Sequence, residues 1–488
     1  MAENFYDKFY KHAKGQKNTS QKTSGRPSKQ NQQELSTKSH PSKQNSKVQN
    51  PKAQSKISHP ARQNLPRSSS QANPSSFAFK NSLFLTDRLQ SDTLSILNNF
   101  DQIVQGVRPL NSRQLQQLPD NIRALSHQLT DQRADRRLGY MNDNVQLSSY
   151  VRYYTWWNLV RLTRLFSNLP EAIFPQKDAI CLDLGSGPLT LVIALWLARP
   201  EIRKLNLTWY CLDVSSNSMA LGEDIYLSIA ARFTENPWQI IRVKGSFGTQ
   251  IKQKADFVTC ANMFNELDQA GDMPPEYQTK KYFDQLKTYA TPVANFLFVE
   301  PGVPKASRTL SLLRSRFLSF GKNVLAPCPH AGDCPMNGFK AYTGSQNKWC
   351  NFAFSTEDAP AKLQKLSENA KLPKERATLS FLAVTTEATD APENHEMQDI
   401  HSTANHTLAN HTPAIHTPTD DIFCRVASDT FPLPDHKFGH YACSELGLVL
   451  LRTRGSEMLK SGDLISVKIK SPDSLPKDEK SGALIIDL

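Results

Sequence analysis

Four cysteines in the second half of the chain have the residue type and spacing of a metal site. Cys328, Cys334 and Cys350 are separated by 5 and 15 residues, and Cys443 follows after a further 92. Thiolates are preferred ligands of Zn²⁺ and of iron–sulfur clusters. Prolines beside the first two cysteines restrict the backbone there. The pattern predicts a four-thiolate site, and residue types alone leave both Zn²⁺ and a [4Fe–4S] cluster open.

The fourth position of this site has two candidates. Cys443 precedes a Ser-Glu-Leu-Gly turn into an apolar strand, which would place it at an edge. Cys424 lies between Phe423 and Arg425, in the middle of a predicted strand. We therefore expect Cys443 to be the fourth ligand. His330 is an alternative donor, although a role beside the site or in its loop fits it better.

A second group of residues, further upstream, has the pattern of a nucleotide-cofactor loop. A predicted strand ends at Asp183 and is followed by Gly185 and Gly187. Small residues there let a ligand approach the backbone and the N-terminus of the next helix. Asp213 ends the next predicted strand, about 25 residues past the loop, where it could accept hydrogen bonds from ribose hydroxyls. The third glycine of a dinucleotide fingerprint is missing, which favours S-adenosylmethionine (SAM) over NAD. The alternative is a scaffold that has lost its cofactor.

The segment after the fourth predicted strand would face a methyl acceptor. It contains Cys260 and Asn262, followed by Met263-Phe264 where amino-group methyltransferases carry Pro-Pro-aromatic. Asn262 and Cys260 are the catalytic candidates, and both are weak. No residue in this segment has the character of a catalytic base. Cys260 as a thiolate could attack a pyrimidine ring, but a buried strand cysteine is the commoner case. Cys181 and Cys211, also in predicted strands, are expected to be inert.

Alternating strands and helices would position these residues on a parallel sheet. We expect the SAM-methyltransferase-like core over residues 177–320. Its predicted strands are 179–183, 208–213, 238–243, 256–260 and 294–300, and its predicted helices are 189–198, 216–231 and 305–320. Further strands are expected over 378–384, 422–426, 447–452 and 464–469.

Composition divides the rest of the chain. A disordered basic tail is expected over 1–80, and apolar residues at helical spacing predict a helical extension over 81–176. Aromatic residues over 150–157 are expected to pack in a core, with a stacking platform for bases as the alternative. The later regions are a cysteine-rich cluster loop with a core strand over 321–385, a low-complexity insertion over 386–420, and a C-terminal β region with the fourth cysteine over 421–488.

The positive charge belongs to the tail. Residues 1–80 hold 15 Lys and Arg against 3 Asp and Glu, a net +12 that equals the +12 of the whole chain. Such a polycation gathers near phosphate backbones by releasing counterions, which favours RNA as a partner over a purely solubilising role. In the insertion, His401, His406, His411 and His416 recur every five residues. That period matches no face of a helix or strand, so a slipped repeat is favoured over a metal-binding tract.

Compartment and membrane contacts follow from local composition. No apolar run approaches the ~20 residues of a membrane span, so no membrane partner is expected. Glu3 and Asp7 are unlike a mitochondrial transit peptide. The eight cysteines are unevenly spread and do not form a compact disulfide framework. We therefore expect a cytoplasmic, bacterial-type protein rather than a mitochondrial one, while the oligomeric state is undefined by the sequence.

The cysteine segment resembles a known family. The run Ala326-Pro-Cys-Pro-His330, Cys334-Pro335 and Trp349-Cys350-Asn-Phe352 is similar to the signature of the small-ribosomal-subunit assembly methyltransferase-like proteins. Upstream, segments 183–187, 262–267 and 300–304 match further motifs of that family in order. The resemblance covers roughly residues 85–470 and excludes the tail and the histidine pentads. The chain departs from the family in its long insertion before Cys443.

The resemblance implies an α/β fold. It would be a SAM-dependent methyltransferase (Rossmann-like) domain with an α-helical N-terminal extension, a cysteine-rich cluster-binding insertion and a small C-terminal β region. It also implies that Cys328, Cys334, Cys350 and Cys443 bind a [4Fe–4S] cluster. The implied partners are small-subunit rRNA and the precursor of the small ribosomal subunit.

The sequence is therefore compatible with three functions. An rRNA-binding assembly factor is favoured, with an active SAM-dependent rRNA methyltransferase and a zinc-binding structural RNA-binding protein as the alternatives. For the first, phosphate contacts are expected from the tail and from the helix over 305–320, through Arg308, Arg314, Arg316 and Lys322.

Overall fold

The computed structural model describes residues 77–130, 139–267, 273–339, 343–344, 346–386, 421–469 and 471–488. The predictions for residues 1–76 and for the histidine pentads lie outside these ranges. Among the described residues, no helix combines the length and apolar character that a membrane crossing requires.

The N-terminal region begins with a strand. This strand, β1 (Phe77–Ser82), pairs antiparallel with a strand near the C-terminus. The predicted tail over 1–80 therefore overlaps this strand by four residues. The sequence did not reveal the strand, because its pairing partner lies almost 400 residues further along the chain. Helices follow, as predicted for the extension: α1 (Ser91–Asn98), α2 (Phe100–Val107), α3 (Ser112–Thr130) and α4 (Asn144–Ser149).

A π-helical segment, Tyr150–Thr155, connects α4 directly to α5 (Trp156–Asn168). The predicted aromatic cluster packs here rather than presenting a stacking platform, since Trp156 and Trp157 are 2% and 4% exposed. The Trp156 indole N–H donates to the Leu97 carbonyl at 2.7 Å, which satisfies its polar atom inside the core. The extension is thus fastened to the domain through buried side chains.

The central sheet contains all the strands predicted between 177 and 385. The strands of the sheet and the helices between them are, in chain order, β2 (Ala179–Leu184), α6 (Thr190–Ala198), β3 (Leu207–Asp213), α7 (Ser216–Ala230), β4 (Gln239–Lys244), β5 (Ala255–Ala261), α8 (Phe264–Leu267), α9 (Pro275–Tyr289), β6 (Ala290–Glu300), α10 (Pro304–Ser319), β7 (Asn323–Ala326), β8 (Phe352–Ser355), α11 (Ala361–Asn369) and β9 (Arg376–Thr385).

The strand order of this sheet is β4-β3-β2-β5-β6-β9-β7, with β8 paired to β9. Only β9 runs against its neighbours β6 and β7 in this row. The order reverses between β2 and β5, and such a switch point opens a crevice at the carboxyl ends of parallel strands. This is the doubly wound, Rossmann-like architecture predicted for a SAM-dependent methyltransferase domain.

Helix α6 explains why the extension is needed. Every residue of its sequence, TLVIALWLA, is buried, and a helix that is apolar on all sides must be covered on all sides. The sheet covers one side and α5 packs on another. The N-terminal helices therefore belong to the core of the methyltransferase-like fold.

The C-terminal β region is a second sheet. It contains β10 (Asp421–Val426), β11 (Phe431–Pro432), β12 (Phe438–Ser444), β13 (Gly447–Thr453), β14 (Asp463–Lys468) and β15 (Leu484–Asp487). The order is β1-β14-β10-β12-β13-β15, so the N-terminal strand completes the sheet. The two sheets meet near the cysteine loop, where the Phe84 ring lies 5.0 Å from the Phe354 ring.

Candidate functional site

A cleft of about 240 Å³ opens at the switch point of the central sheet. The loop after β2, the ends of β3 and β5 and the segment after β4 form its walls. The N-terminal extension closes one side, a contribution that the sequence patterns did not reveal. The lining includes Tyr140, Tyr150, Asn158, Asp183, Gly185, Gly187, Asp213, Phe247, Asn262, Met263 and Glu266.

The two predicted glycines of the cofactor loop are required by the backbone. Gly185 and Gly187 have φ values of 66° and 51°, which side-chain-bearing residues rarely adopt. A Cβ on Gly185 would also lie 3.0 Å from Cγ of Met263. The Gly185 N–H donates to the Leu212 carbonyl at 2.8 Å, which ties the loop to β3. The loop therefore presents its backbone to the cleft without intervening side chains.

Asp213 links the cofactor loop to the next helix. Its Oδ2 accepts from the Gly187 N–H at 2.9 Å and its Oδ1 accepts from the Ser215 N–H at 2.8 Å. Burial raises the pKa of this carboxyl and the backbone N–H groups lower it. Asp213 thus has a structural role besides the predicted one, and each oxygen keeps a second lone pair for a ligand hydroxyl.

Asp183 lies at the base of the cleft. It is 1% exposed, and its Oδ1 accepts from the Thr259 hydroxyl at 2.9 Å. Its Oδ2 is buried and has no hydrogen-bond partner among the described residues. Burial raises the pKa of Asp183 to about 7. An orphaned carboxylate oxygen of this kind fits a ligand that donates hydrogen bonds or carries positive charge.

Asn262, the predicted acceptor-side residue, is held from two directions. Its φ is 62° and its N–H donates to the Val299 carbonyl at 2.8 Å. Its Oδ1 accepts from Nη2 of Arg161 at 3.1 Å, and the same nitrogen donates to Oδ1 of Asn158 at 2.9 Å. Sequence reasoning missed Arg161 and Asn158, because they lie on α5, about a hundred residues before Asn262, and no local signal connects them to it.

Glu300 supports the same segment from below. The residue is fully buried, and its carboxylate accepts from the N–H groups of Phe264 and Asn265 at 2.8 and 3.1 Å. Burial raises its pKa to about 8. The other catalytic candidate, Cys260, is fully buried and is not among the residues that line the cleft. Burial raises the pKa of the Cys260 thiol well above its usual value, which opposes the thiolate that a nucleophile requires.

The predicted thiols converge at the junction of the two sheets. Cys328, Cys334 and Cys350 line one small cavity on the inner side of α10. Cys443 reaches the same loop, because its Sγ lies 3.0 Å from Nε2 of His330, and burial and the neighbouring thiols raise its pKa. Cys424 is fully buried in the separate core of the second sheet. Cys443 therefore lies against the cysteine loop and Cys424 does not, while Cys443 as the fourth ligand stays a prediction.

Polar groups surround these thiols. The Arg314 Nε–H donates to Sγ of Cys328 at 3.1 Å, and His330 Nε2 lies 3.0 Å from Sγ of Cys443. The Arg425 side chain is 6% exposed and donates to the Pro327 carbonyl at 3.2 Å. In the described part of the chain, no group of three or more His, Cys, Asp and Glu side chains is placed to hold a metal ion.

The predicted phosphate contacts of α10 need correction. Arg314 is 2% exposed and points to the thiols, whereas Lys322 is 6% exposed and donates to the carbonyls of Pro292 and Ala294. Arg308 and Arg316 are half-buried and donate to Glu276. Two of the four predicted phosphate contacts are thus buried, which a count of basic residues cannot distinguish from a surface patch.

Several solved structures are similar to the chain at low identity. A SAM-dependent methyltransferase from Geobacter sulfurreducens, in complex with S-adenosyl-L-homocysteine, is 13% identical, with 47% of this chain and 90% of that chain covered and a TM-score of 0.27. One from Thiobacillus denitrificans, with the same ligand, is 12% identical over 47% and 91%, with a TM-score of 0.26. Precorrin-6y C5,15-methyltransferase from Geobacter metallireducens is 11% identical over 44% and 83%, also at 0.26. No curated protein matches the chain.

A family model gives the decisive match. It is described as mitochondrial small ribosomal subunit Rsm22 and matches residues 151–404, more than half of the 488 residues. The matched range contains the predicted cofactor loop, the Asn262 segment and the first three of the four predicted ligand cysteines. The chain therefore belongs to the family described as mitochondrial small ribosomal subunit Rsm22.

Proposed function

We propose that this chain is an assembly factor of the small ribosomal subunit that binds rRNA and carries a [4Fe–4S] cluster on Cys328, Cys334, Cys350 and Cys443. The observation that supports the proposal is that three of these thiols line one cavity, while Cys443, from the second sheet, lies against His330 of the same loop. The family's description as a small ribosomal subunit supports the ribosomal part.

The four cysteines have the residue type that an iron–sulfur cluster requires. Such clusters are held by four Cys thiolates, and a buried set of thiolates needs nearby positive charge. The guanidinium groups of Arg314 and Arg425, 2% and 6% exposed, lie beside the thiols and supply that charge. A group bound here would join the loop after β7 to β12 and so hold the two sheets together.

Iron analysis of the anaerobically purified protein tests the cluster. About four iron and four sulfide per chain are expected, with loss of both in Cys443→Ser. The matched control is Cys424→Ser, which removes a thiol of the same sheet outside the cluster and should retain the iron. About one zinc per chain, without iron, would instead support the structural zinc alternative. Circular dichroism should show that both variants are folded.

We also propose that the cleft binds SAM. The glycine loop can approach the cofactor closely, Asp213 can accept from ribose hydroxyls, and Asp183 offers its orphaned oxygen. The acidic lining suits a cationic ligand, and SAM when bound supplies an electrophilic methyl group. Calorimetry with S-adenosyl-L-homocysteine is the direct test, and absence of binding to the folded protein would refute this assignment.

An active rRNA methyltransferase is the second candidate function. The observation that favours it is the restraint of the acceptor-side segment: Arg161 donates to Asn262, and Glu300 accepts from the N–H group of Phe264, two residues later. Mass spectrometry of small-subunit rRNA should compare cells with the wild-type protein and with Asn262→Ala. Loss of one methyl group identifies an enzyme and its substrate. Unchanged rRNA, with normal binding of S-adenosyl-L-homocysteine, leaves an assembly platform.

For rRNA contact we propose the basic tail, because Arg314 and Lys322 are buried and Arg308 and Arg316 donate to Glu276. Binding of small-subunit rRNA should weaken with salt, with a slope that reports the number of phosphates contacted. Deletion of residues 1–76, which hold 14 of the Lys and Arg, should make the slope shallower. An unchanged slope would exclude the tail as the RNA-binding segment.

A further inference from the structure

Two carboxamides in the cleft are held in one orientation by a single guanidinium nitrogen. Nη2 of Arg161 donates to Oδ1 of Asn158 at 2.9 Å and to Oδ1 of Asn262 at 3.1 Å. A guanidinium has donors and no acceptor, so both amide oxygens must face it. The NH₂ groups of Asn158 and Asn262 must therefore point away from Arg161.

Arg161 itself has little freedom. It is 9% exposed, and its Nη1 donates to the Thr378 carbonyl at 2.9 Å. Burial lowers its pKa to about 10 while buried Glu300 opposes that change, so the guanidinium stays charged at neutral pH. The backbone of Asn262 is fixed as well, by its bond to Val299. The orientation of the two amides is thus built into the fold.

Both asparagines line the cleft, and neither NH₂ group donates a hydrogen bond within the described part of the chain. Together they offer paired donors to whatever lies there. A carbonyl oxygen has two lone pairs and can accept from both groups. An exocyclic amine of a base is itself a donor, so its N–H groups would face the N–H groups of the two asparagines without an acceptor between them.

The remaining lining narrows the class of ligand. Asp183, Asp213 and Glu266 line the same cleft, and their carboxyl groups disfavour a phosphate or a carboxylate beside the amides. Phe247 lines the cleft as well and offers an aromatic ring on which a planar base can stack. The ligand that fits is neutral and planar and carries a carbonyl oxygen.

We propose that Asn158 and Asn262 form a paired-donor site for the carbonyl oxygen of a nucleobase, and that Arg161 is the residue that positions them. The inference deepens the proposed function, since it rests on the glycine-loop side of the cleft being the cofactor side. The site selects a base such as uracil and rejects adenine, which has no carbonyl group.

The test uses the full-length protein with ¹⁵N-labelled asparagine, saturated with S-adenosyl-L-homocysteine, and uridine or adenosine as the probe. Uridine should shift the side-chain NH₂ resonances of both residues, whereas adenosine should shift neither. The two resonances are assigned by their absence in Asn158→Asp and Asn262→Asp. Each variant should bind uridine at least about tenfold more weakly, because lone pairs replace the donor.

The two Asp variants change the hydrogen-bond donors with little change of side-chain shape. An aspartate at either position keeps the shape and pairs with Arg161, so folding should be retained. Asn98→Asp, on the exposed face of α1, makes the same change of charge away from the cleft and should bind uridine normally. Arg161→Lys should reduce the preference for uridine over adenosine while the affinity for S-adenosyl-L-homocysteine is unchanged.

Three results would overturn the inference. Adenosine could shift the two resonances as strongly as uridine, or neither nucleoside could shift them. The affinity for S-adenosyl-L-homocysteine could instead fall about tenfold in either Asp variant, which would assign the amides to the carboxylate of the cofactor. Should the wild-type protein bind no S-adenosyl-L-homocysteine, the cofactor proposal fails separately, and the same shifts measured without it still decide the carbonyl site.

Discussion

At the scale of single residues, Asp213 has a structural role as well as a predicted role in ligand binding. It accepts one hydrogen bond from the cofactor loop and one from the turn that begins α7. The prediction of a ribose ligand from its position at a strand end did not include these bonds. A change at Asp213 will therefore affect the loop before it affects any ligand.

Asp213→Asn is expected to lower the free energy of unfolding by about 1–3 kcal/mol, because the amide can replace only one of two acceptors and leaves a buried N–H unpaired. Urea denaturation measures the change, and the affinity for S-adenosyl-L-homocysteine should fall with it. Asp178→Asn serves as control, since that carboxyl is exposed and accepts its bonds from Asn206. Equal stability of Asp213→Asn and wild type would contradict the linking role.

Glu300 should give the protein a pH-dependent stability. Its pKa is about 8 in the folded state and about 4.3 when unfolded. The folded state then holds the proton more tightly, so stability falls as pH rises from about 4 to about 8. Asp183, with a pKa of about 7, adds a fall of the same sign that ends near pH 7.

Glu300→Gln should therefore flatten the profile above pH 7, where Asp183 no longer contributes. Urea denaturation of wild type and variant at pH 5, 7, 8 and 9 provides the comparison. A wild-type protein whose stability rises between pH 7 and 8, or a variant with an undiminished fall there, would show that Glu300 is not held protonated.

At the scale of elements, α7 packs so closely on the cofactor loop that there is no space between them for an added methyl group. A Cβ on Gly222 would lie 2.3 Å from the carbonyl carbon of Pro188, a backbone atom that cannot turn aside. Gly222→Ala should cost about 1–3 kcal/mol of stability by overpacking and weaken the binding of S-adenosyl-L-homocysteine.

Gly106→Ala is the matched control for this prediction. Gly106 lies inside α2, and a Cβ added there would have nothing within 4 Å, so the same change should stabilise the helix by up to about 1 kcal/mol. Thermal unfolding of the two variants should shift in opposite directions. A shift of equal sign and size would mean that the contact between α7 and the loop carries no strain.

At the scale of the whole molecule, Arg425 connects the second sheet to its surroundings. Its Nη1 donates to Oδ1 of Asn81 and to the Gly462 carbonyl at 2.9 and 2.7 Å, and its Nε donates to the Pro327 carbonyl. These bonds join β10 to the end of β1, to the turn before β14 and to the cysteine loop.

Arg425→Ala should cost about 3 kcal/mol or more, because two buried carbonyl groups, of Pro327 and Gly462, and the exposed Asn81 side chain lose their donor together. Arg452→Ala removes a partly exposed arginine of the same sheet, paired with Asp487, and should cost less than about 1 kcal/mol. Denaturation gives both values, and limited proteolysis should cut the first variant near residues 421–469 sooner than the second. Similar losses in the two variants would rule out Arg425 as the connection.

The sequence by itself determined the features that depend on neighbouring residues. Apolar runs and turn residues located β2, β3, β5 and β6, the two glycines marked the cofactor loop, and spacing selected the first three cysteines. These signals are local, since side-chain periodicity and backbone freedom act over a few residues.

The tertiary structure decided every feature that joins distant segments. It placed β1 beside β14, turned Arg314 inward to Cys328, and brought Cys443 to His330 of the cysteine loop. It also set Arg161 between Asn158 and Asn262. The periodicity of a helix or strand shows which face is buried but not which partner covers it, and that choice is made only when the packed layers meet.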